Sequence, residues 1–191
     1  MELSLSWDLF IIVFFGLVVA YSLIIGRNNN FKVILATYVG ALFADAVGNL
    51  FSKTLADSHN FMQMMKLFSV STSEDATVLI KVVMLLSIIV ILSVKGNYNV
   101  DVYTGGPPGM KVGISLLFGF LNACLIVSIA LIFVSGSSFI VGDPSLASPA
   151  FQDIYNSSNI ARILIDYYSV WFLLPALGFI GISFFSPSAE K

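Results

Sequence analysis

The chain has 191 residues, 58% of them hydrophobic and 10% charged, where soluble globular domains carry roughly 25% charged residues. This composition excludes an ordinary soluble domain and indicates an all-α, polytopic helical membrane protein, with the bilayer as its first partner. A net charge of −2, with no run of lysine or arginine interleaved with aromatics, argues against nucleic-acid binding.

In chain order, the first apolar run, about 7–25, reads as a retained span rather than a signal peptide. Glu2 and Asp8 stand where a signal peptide has basic residues, and no small-residue cleavage pattern follows. Gly26 to Asn30 reads as a tight polar turn that forces spans one and two into an antiparallel hairpin.

Span two, about 33–52, is the helix around which the others are expected to gather. Gly40, Ala44 and Gly48 continue a stripe of small residues from Ala36, a pattern that lets helix backbones approach closely in membranes. Thr37, Ala41, Asp45 and Asn49 form a polar stripe beside it. Leu35, Val39, Leu42, Phe43, Ala46 and Leu50 remain for the lipid.

The segment 54–70 is too short and too interrupted to cross. With Phe61, Met62, Met64, Met65, Leu67 and Phe68 in its middle, it reads as a helix lying in the interface. Span three, about 76–94, is announced by the overlapping capping boxes Ser71-x-x-Glu74 and Thr72-x-x-Asp75. Lys81 is its one charged interior residue. Between 95 and 111, Gly105-Gly106-Pro107-Pro108-Gly109 reads as a turn, since the spacing of a phosphate loop is absent.

Span four, about 112–134, carries Ser115, Gly119 and Ala123 at i, i+4 and i+8, with Asn122 beside them. Spans two and four are expected to cross through these small-residue stripes. Residues 135–158 read as a loop, and 167–185 as a fifth span, kinked at Pro175. The lone cysteine, Cys124, lies in an apolar run and offers no disulfide or cysteine-based metal site.

Asp45 and Lys81 are the formal charges inside the central spans. Counted from the span ends, both sit about 8 to 10 Å below the same surface, so they can pair. One reading is structural: a buried pair, or a lysine snorkelling outward beside a hydrogen-bonded acid. A second is an ion or proton path using Asp45, with Asn49 and Asn122 as relays, and a third is a site for a lipid headgroup or a partner. No hydrolytic motif, cofactor motif or metal-ligand spacing is present, so no enzyme activity and no cofactor is expected.

Asp8 at the head of span one, Gly26-Arg27 at its end, the long segment between spans two and three, and Phe118-Gly119-Phe120-Leu121 together resemble the colicin V production protein family over roughly residues 5–134. This chain has Ser115 and Ala123 where that family usually has glycine, and Asn122 where it has arginine. The 135–191 region has no counterpart. The resemblance implies a bacterial inner-membrane protein linked to toxin production or export and to envelope maintenance. Apart from the resemblance, the small-residue stripes leave another copy of the chain or other membrane proteins as the expected partners. The alternative is a subunit of a transporter or of an ion or proton channel. The distribution of Arg27, Lys32, Lys95, Lys111 and Lys191 against Lys53, Lys66 and Arg162 predicts an outside N-terminus and a cytoplasmic C-terminus.

Overall fold

The computed structural model describes residues 7–54, 58–66, 70, 72–96, 108–138 and 149–185. Seven helices follow one another among the described residues: α1 (Trp7–Thr54), α2 (His59–Lys66), α3 (Ser73–Lys95), α4 (Pro108–Val134), α5 (Pro149–Ser157), α6 (Asn159–Asp166) and α7 (Tyr168–Phe185). Four stretches are long and apolar enough to cross a membrane: Trp7–Gly26, Asn28–Thr54, Ser73–Lys95 and Val112–Val134, here called spans one to four. The bent pair α6 and α7 makes a fifth if counted as one span. The chain is a multi-pass helical membrane protein.

The hairpin between spans one and two is tighter than the expected five-residue turn. Gly26 alone breaks α1, with φ 76° and ψ 172°, a backbone setting that glycine reaches without the steric cost a Cβ would add. Helix resumes by Asn28, so Asn29 and Asn30 belong to span two. Asn30 touches Ser115, Thr37 touches Asn122, and the Phe31 and Phe118 rings meet with centroids 4.4 Å apart. Spans two and four therefore run parallel and in register. Phe15 meets Phe120, and Ser22 meets Ser115, so span one is antiparallel to both.

The polar seam, rather than the small-residue stripes, joins spans two and four. A Cβ on Gly40 would meet Leu85 and Ile88, and one on Gly48 would meet Lys81, so the span-two stripe faces span three. Gly119 faces Ser22 and Val19 of span one. Ala44 and Ala123 are fully buried. The expected glycine-to-glycine crossing is thus corrected: a small side chain permits close approach but does not choose the neighbour. On the lipid side, Val39, Leu42, Phe43, Ala46 and Leu50 are exposed as expected, and Leu35 is half-buried.

Span four, and not span two, is the central helix. In their most apolar windows, 72% of span four is buried against 50% of span two. Hydropathy cannot foretell this, because lipid tails are as apolar as a neighbouring helix.

Thr72 caps span three by accepting from the Asp75 amide at 3.1 Å, which is one of the two expected boxes; Ser71 lies outside the described residues. Below it, Phe61, Met62 and Met65 of α2 pack on Phe51 and Ala76, while Met64 points away. Most of the 95–111 turn (97–107) and the 139–148 stretch also lie outside the described residues. Pro108 and Gly109, read as turn, instead open α4, where a first-turn proline costs no amide bond.

The end of the expected 135–158 loop holds a helix, α5. The break in the last apolar run falls at Tyr167, where α6 and α7 are bent by 65°, and helix α7 contains Pro175. Contacts carry this pair along the whole bundle. Ser158 meets Asp8, Leu164 meets Ser128, Phe172 meets Tyr38, and Phe179 meets Phe31. That steady progression from one end to the other is the path of a broken span rather than of a loop returning to its own side.

Candidate functional site

Asp45 and Lys81 meet at one end of the bundle. Lys81 Nζ lies 2.7 Å from Asp45 Oδ1, with side-chain exposures of 4% and 0%. Both charges are out of water, where an isolated ion is heavily penalised, and each is served by more than its partner. Ser138 Oγ donates to Asp45 Oδ2 at 2.8 Å, and Asn49 Nδ2 donates to Ser138 Oγ at 2.9 Å. Lys81 Nζ also donates to the Ser137 carbonyl at 3.4 Å and stands 5.4 Å from the centre of the Phe133 ring.

The local sequence builds this site from three elements. Gly48 leaves room on span two for the lysine stem. Asp45, on the next face round, reaches Lys81 of span three and Ser138 beyond the end of span four. Span four ends at Val134, and the following turn, with Gly136 at φ 82°, brings Ser137 and Ser138 over the pair. Ser135 Oγ holds that turn by donating to the Ile132 carbonyl at 2.6 Å.

The depth count thus places Asp45 beside Lys81 correctly, and Asn49 joins them through Ser138. Asn122 does not. It lies beside Thr37, 3.4 Å between Asn122 Oδ1 and Thr37 Oγ1, eight residues or about 12 Å along span two from Asp45. The Thr37 hydroxyl donates to Val33 O at 2.7 Å. With its one proton so used, an Asn122 amide turned to present its N–H to Thr37 gives the sounder pairing.

A third buried polar group, unforeseen from sequence, closes the other end. Asn30 is fully buried. Its Nδ2 donates to Ser22 O at 3.1 Å and Ser115 Oγ at 3.1 Å, and its Oδ1 accepts from Ser22 Oγ. Ser22 and Asn30 are each four residues from Gly26, and that symmetry about a tight turn was the available signal. No comparable signal marked Ser138, because the register of Asn30 with Ser115 and Thr37 with Asn122 puts Asp45 level with residue 130, inside span four.

These three groups follow one line but do not connect. Ile34, Ala41, Leu125 and Ile129, all buried, belong to the apolar core shared by spans two and four. Among the described residues no group of three or more His, Cys, Asp and Glu is placed to hold a metal ion.

At the start of span one, Asp8 Oδ1 accepts from Ser158 Oγ at 2.5 Å and from the Ile160 amide at 3.3 Å, pinning the start of α6 to span one. Tyr155 donates to Asp166 at 3.0 Å, and that bond is the chief reason its phenol titrates above the usual range. Arg162 donates to the Tyr155 carbonyl and lies over its ring.

No protein-family model, no curated protein and no solved structure matches this chain.

Proposed function

We propose that this chain is a non-enzymatic structural protein of a bacterial inner membrane, of the colicin V production type, and that it serves toxin production or export, or envelope maintenance, by presenting a rigid bundle to other membrane proteins or to another copy of itself. One observation carries the structural reading. The polar groups at Asn30, Thr37 and Asp45 are about 10 to 12 Å apart, with buried aliphatic side chains between them. A proton passes between groups in hydrogen-bond reach or through one water. Asp45 and Lys81 also neutralise one another at 2.7 Å, as a locked contact does.

The family part of the reading rests on residues that hold positions in the bundle. Gly26 makes the hairpin, and Gly119 admits span one. Arg27, Lys32, Lys95 and Lys111 fall at the Asn30 end of the bundle in sequence, which supports an outside N-terminus and a cytoplasmic C-terminus.

The test is proton flux into vesicles holding a pH-sensitive dye. Reconstituted protein is expected to leak no faster than protein-free vesicles under an imposed potential. Flux that Asp45→Asn abolishes would overturn the structural reading and establish the channel or transporter alternative.

A further inference from the structure

Helix α6 lies across the end of the bundle rather than along it. Its first turn is fastened to Asp8, the second residue of span one, and its last turn to Ser128 of span four through the Leu164 carbonyl. Helix α7 runs down the bundle past Tyr38 and Phe31. The 65° bend at Tyr167 therefore leaves α6 nearer the plane of the membrane than its normal. Trp7, Tyr167 and Tyr168 are exposed around it, and such aromatic side chains settle at the headgroup level of a bilayer.

At that level α6 carries a cation and an anion that are not joined. Arg162 and Asp166 are four residues apart, a spacing that sets Cβ atoms about 5–6 Å apart and favours an ion pair. Here Asp166 instead accepts from the Tyr155 hydroxyl at 3.0 Å. Arg162 turns to α5 and donates from Nε and Nη2 to the Tyr155 carbonyl at 3.4 and 3.3 Å, with its guanidinium carbon 5.3 Å from the centre of the Tyr155 ring. These contacts fix the guanidinium and leave its other N–H groups as donors. Arg162 is half-buried and Asp166 exposed.

An anion seated on Arg162 alone would meet Asp166 beside it, and a cation on Asp166 alone would meet Arg162. A ligand carrying both charges about one helical turn apart meets each with its opposite. We infer that this pair seats the headgroup of a zwitterionic phospholipid with a primary amine, its phosphate on Arg162 and its ammonium on Asp166. A guanidinium edge matches phosphate oxygens, and a primary ammonium has N–H donors for the carboxylate. This inference rests on the membrane placement of the chain and not on its proposed role.

Native mass spectrometry of the full chain in detergent, with phosphatidylethanolamine and phosphatidylglycerol at equal concentration, reads the seat. The native chain is expected to retain phosphatidylethanolamine over phosphatidylglycerol by roughly two- to fivefold, the range an exposed ion pair supplies. Asp166→Asn is expected to erase that preference, and Arg162→Gln to weaken retention of both lipids with the helical circular dichroism unchanged. Should Arg162→Gln lose its helical signal, Tyr155→Phe takes its place: it frees Asp166 to close on Arg162 and is expected to lower retention of phosphatidylethanolamine. Phosphoethanolamine, which has no acyl chains, is expected to leave the bound lipid in place. Displacement by it, equal retention of the two lipids by the native chain, or a preference that survives Asp166→Asn overturns the proposal.

Discussion

Gly48 lies directly against the stem of Lys81: a Cβ at position 48 would stand 2.3 Å from the lysine Cγ and 2.7 Å from its Cε. The stem cannot swing aside cheaply, because its ammonium is pinned by Asp45. Gly48→Ala is therefore expected to cost about 1–3 kcal/mol by overpacking, read as a lower thermal midpoint in detergent. In a Lys81→Ala background the same change should cost little, since the atoms it strikes are gone.

At the opposite end, Asn30→Leu removes the donor and acceptor that serve Ser22 and Ser115. Each buried polar group left without a partner costs about 1–3 kcal/mol, so this variant should unfold well below the native chain. Gly119→Leu should be comparably severe, because a Cβ there already stands 2.5 Å from Ser22 Oγ. The contact lies within one chain, so loss of fold rather than release of a folded monomer is expected. Size-exclusion chromatography with a thermal melt separates the two.

Asp8→Ala is expected to act locally. It removes the acceptor for Ser158 Oγ and the Ile160 amide, a loss of about 1 kcal/mol by analogy with helix caps. Hydrogen exchange should rise across α5 and α6 and stay unchanged in spans two and four. Faster exchange throughout the bundle would show that Asp8 holds more than α6.

The Asp45–Lys81 contact and the lipid face of span two were legible because both follow from counting. Depth along a helix is set by its rise, and the lipid face by its turn. The partner of the small-residue stripe was not legible, because Gly40 and Gly48 advertise room without saying whose side chain enters it. Span four reads like any lipid-facing run, and its central place emerges only when five crossings share one core. Asn30 was hidden by its setting. After Gly26-Arg27 an Asn-rich run looks like a turn, and a single positive-φ glycine sufficed to turn the chain. Helix α5 escaped for the same reason in reverse, lying next to a stretch rich in Ser and Pro whose local composition suggests a loop.

The most direct test of a structural lock is a double-mutant cycle on Asp45 and Lys81, followed by thermal unfolding in lipid-like detergent. Lys81→Met leaves a buried carboxylate without its counter-charge, and Asp45→Asn leaves a buried ammonium. Each single change is expected to cost about 3–5 kcal/mol. The double variant, with neither charge left to compensate, should recover most of that loss and keep the native helical content. Two single variants as stable as the native chain, or a double variant whose loss is the sum of the two, would contradict the claim that this pair fastens span two to span three.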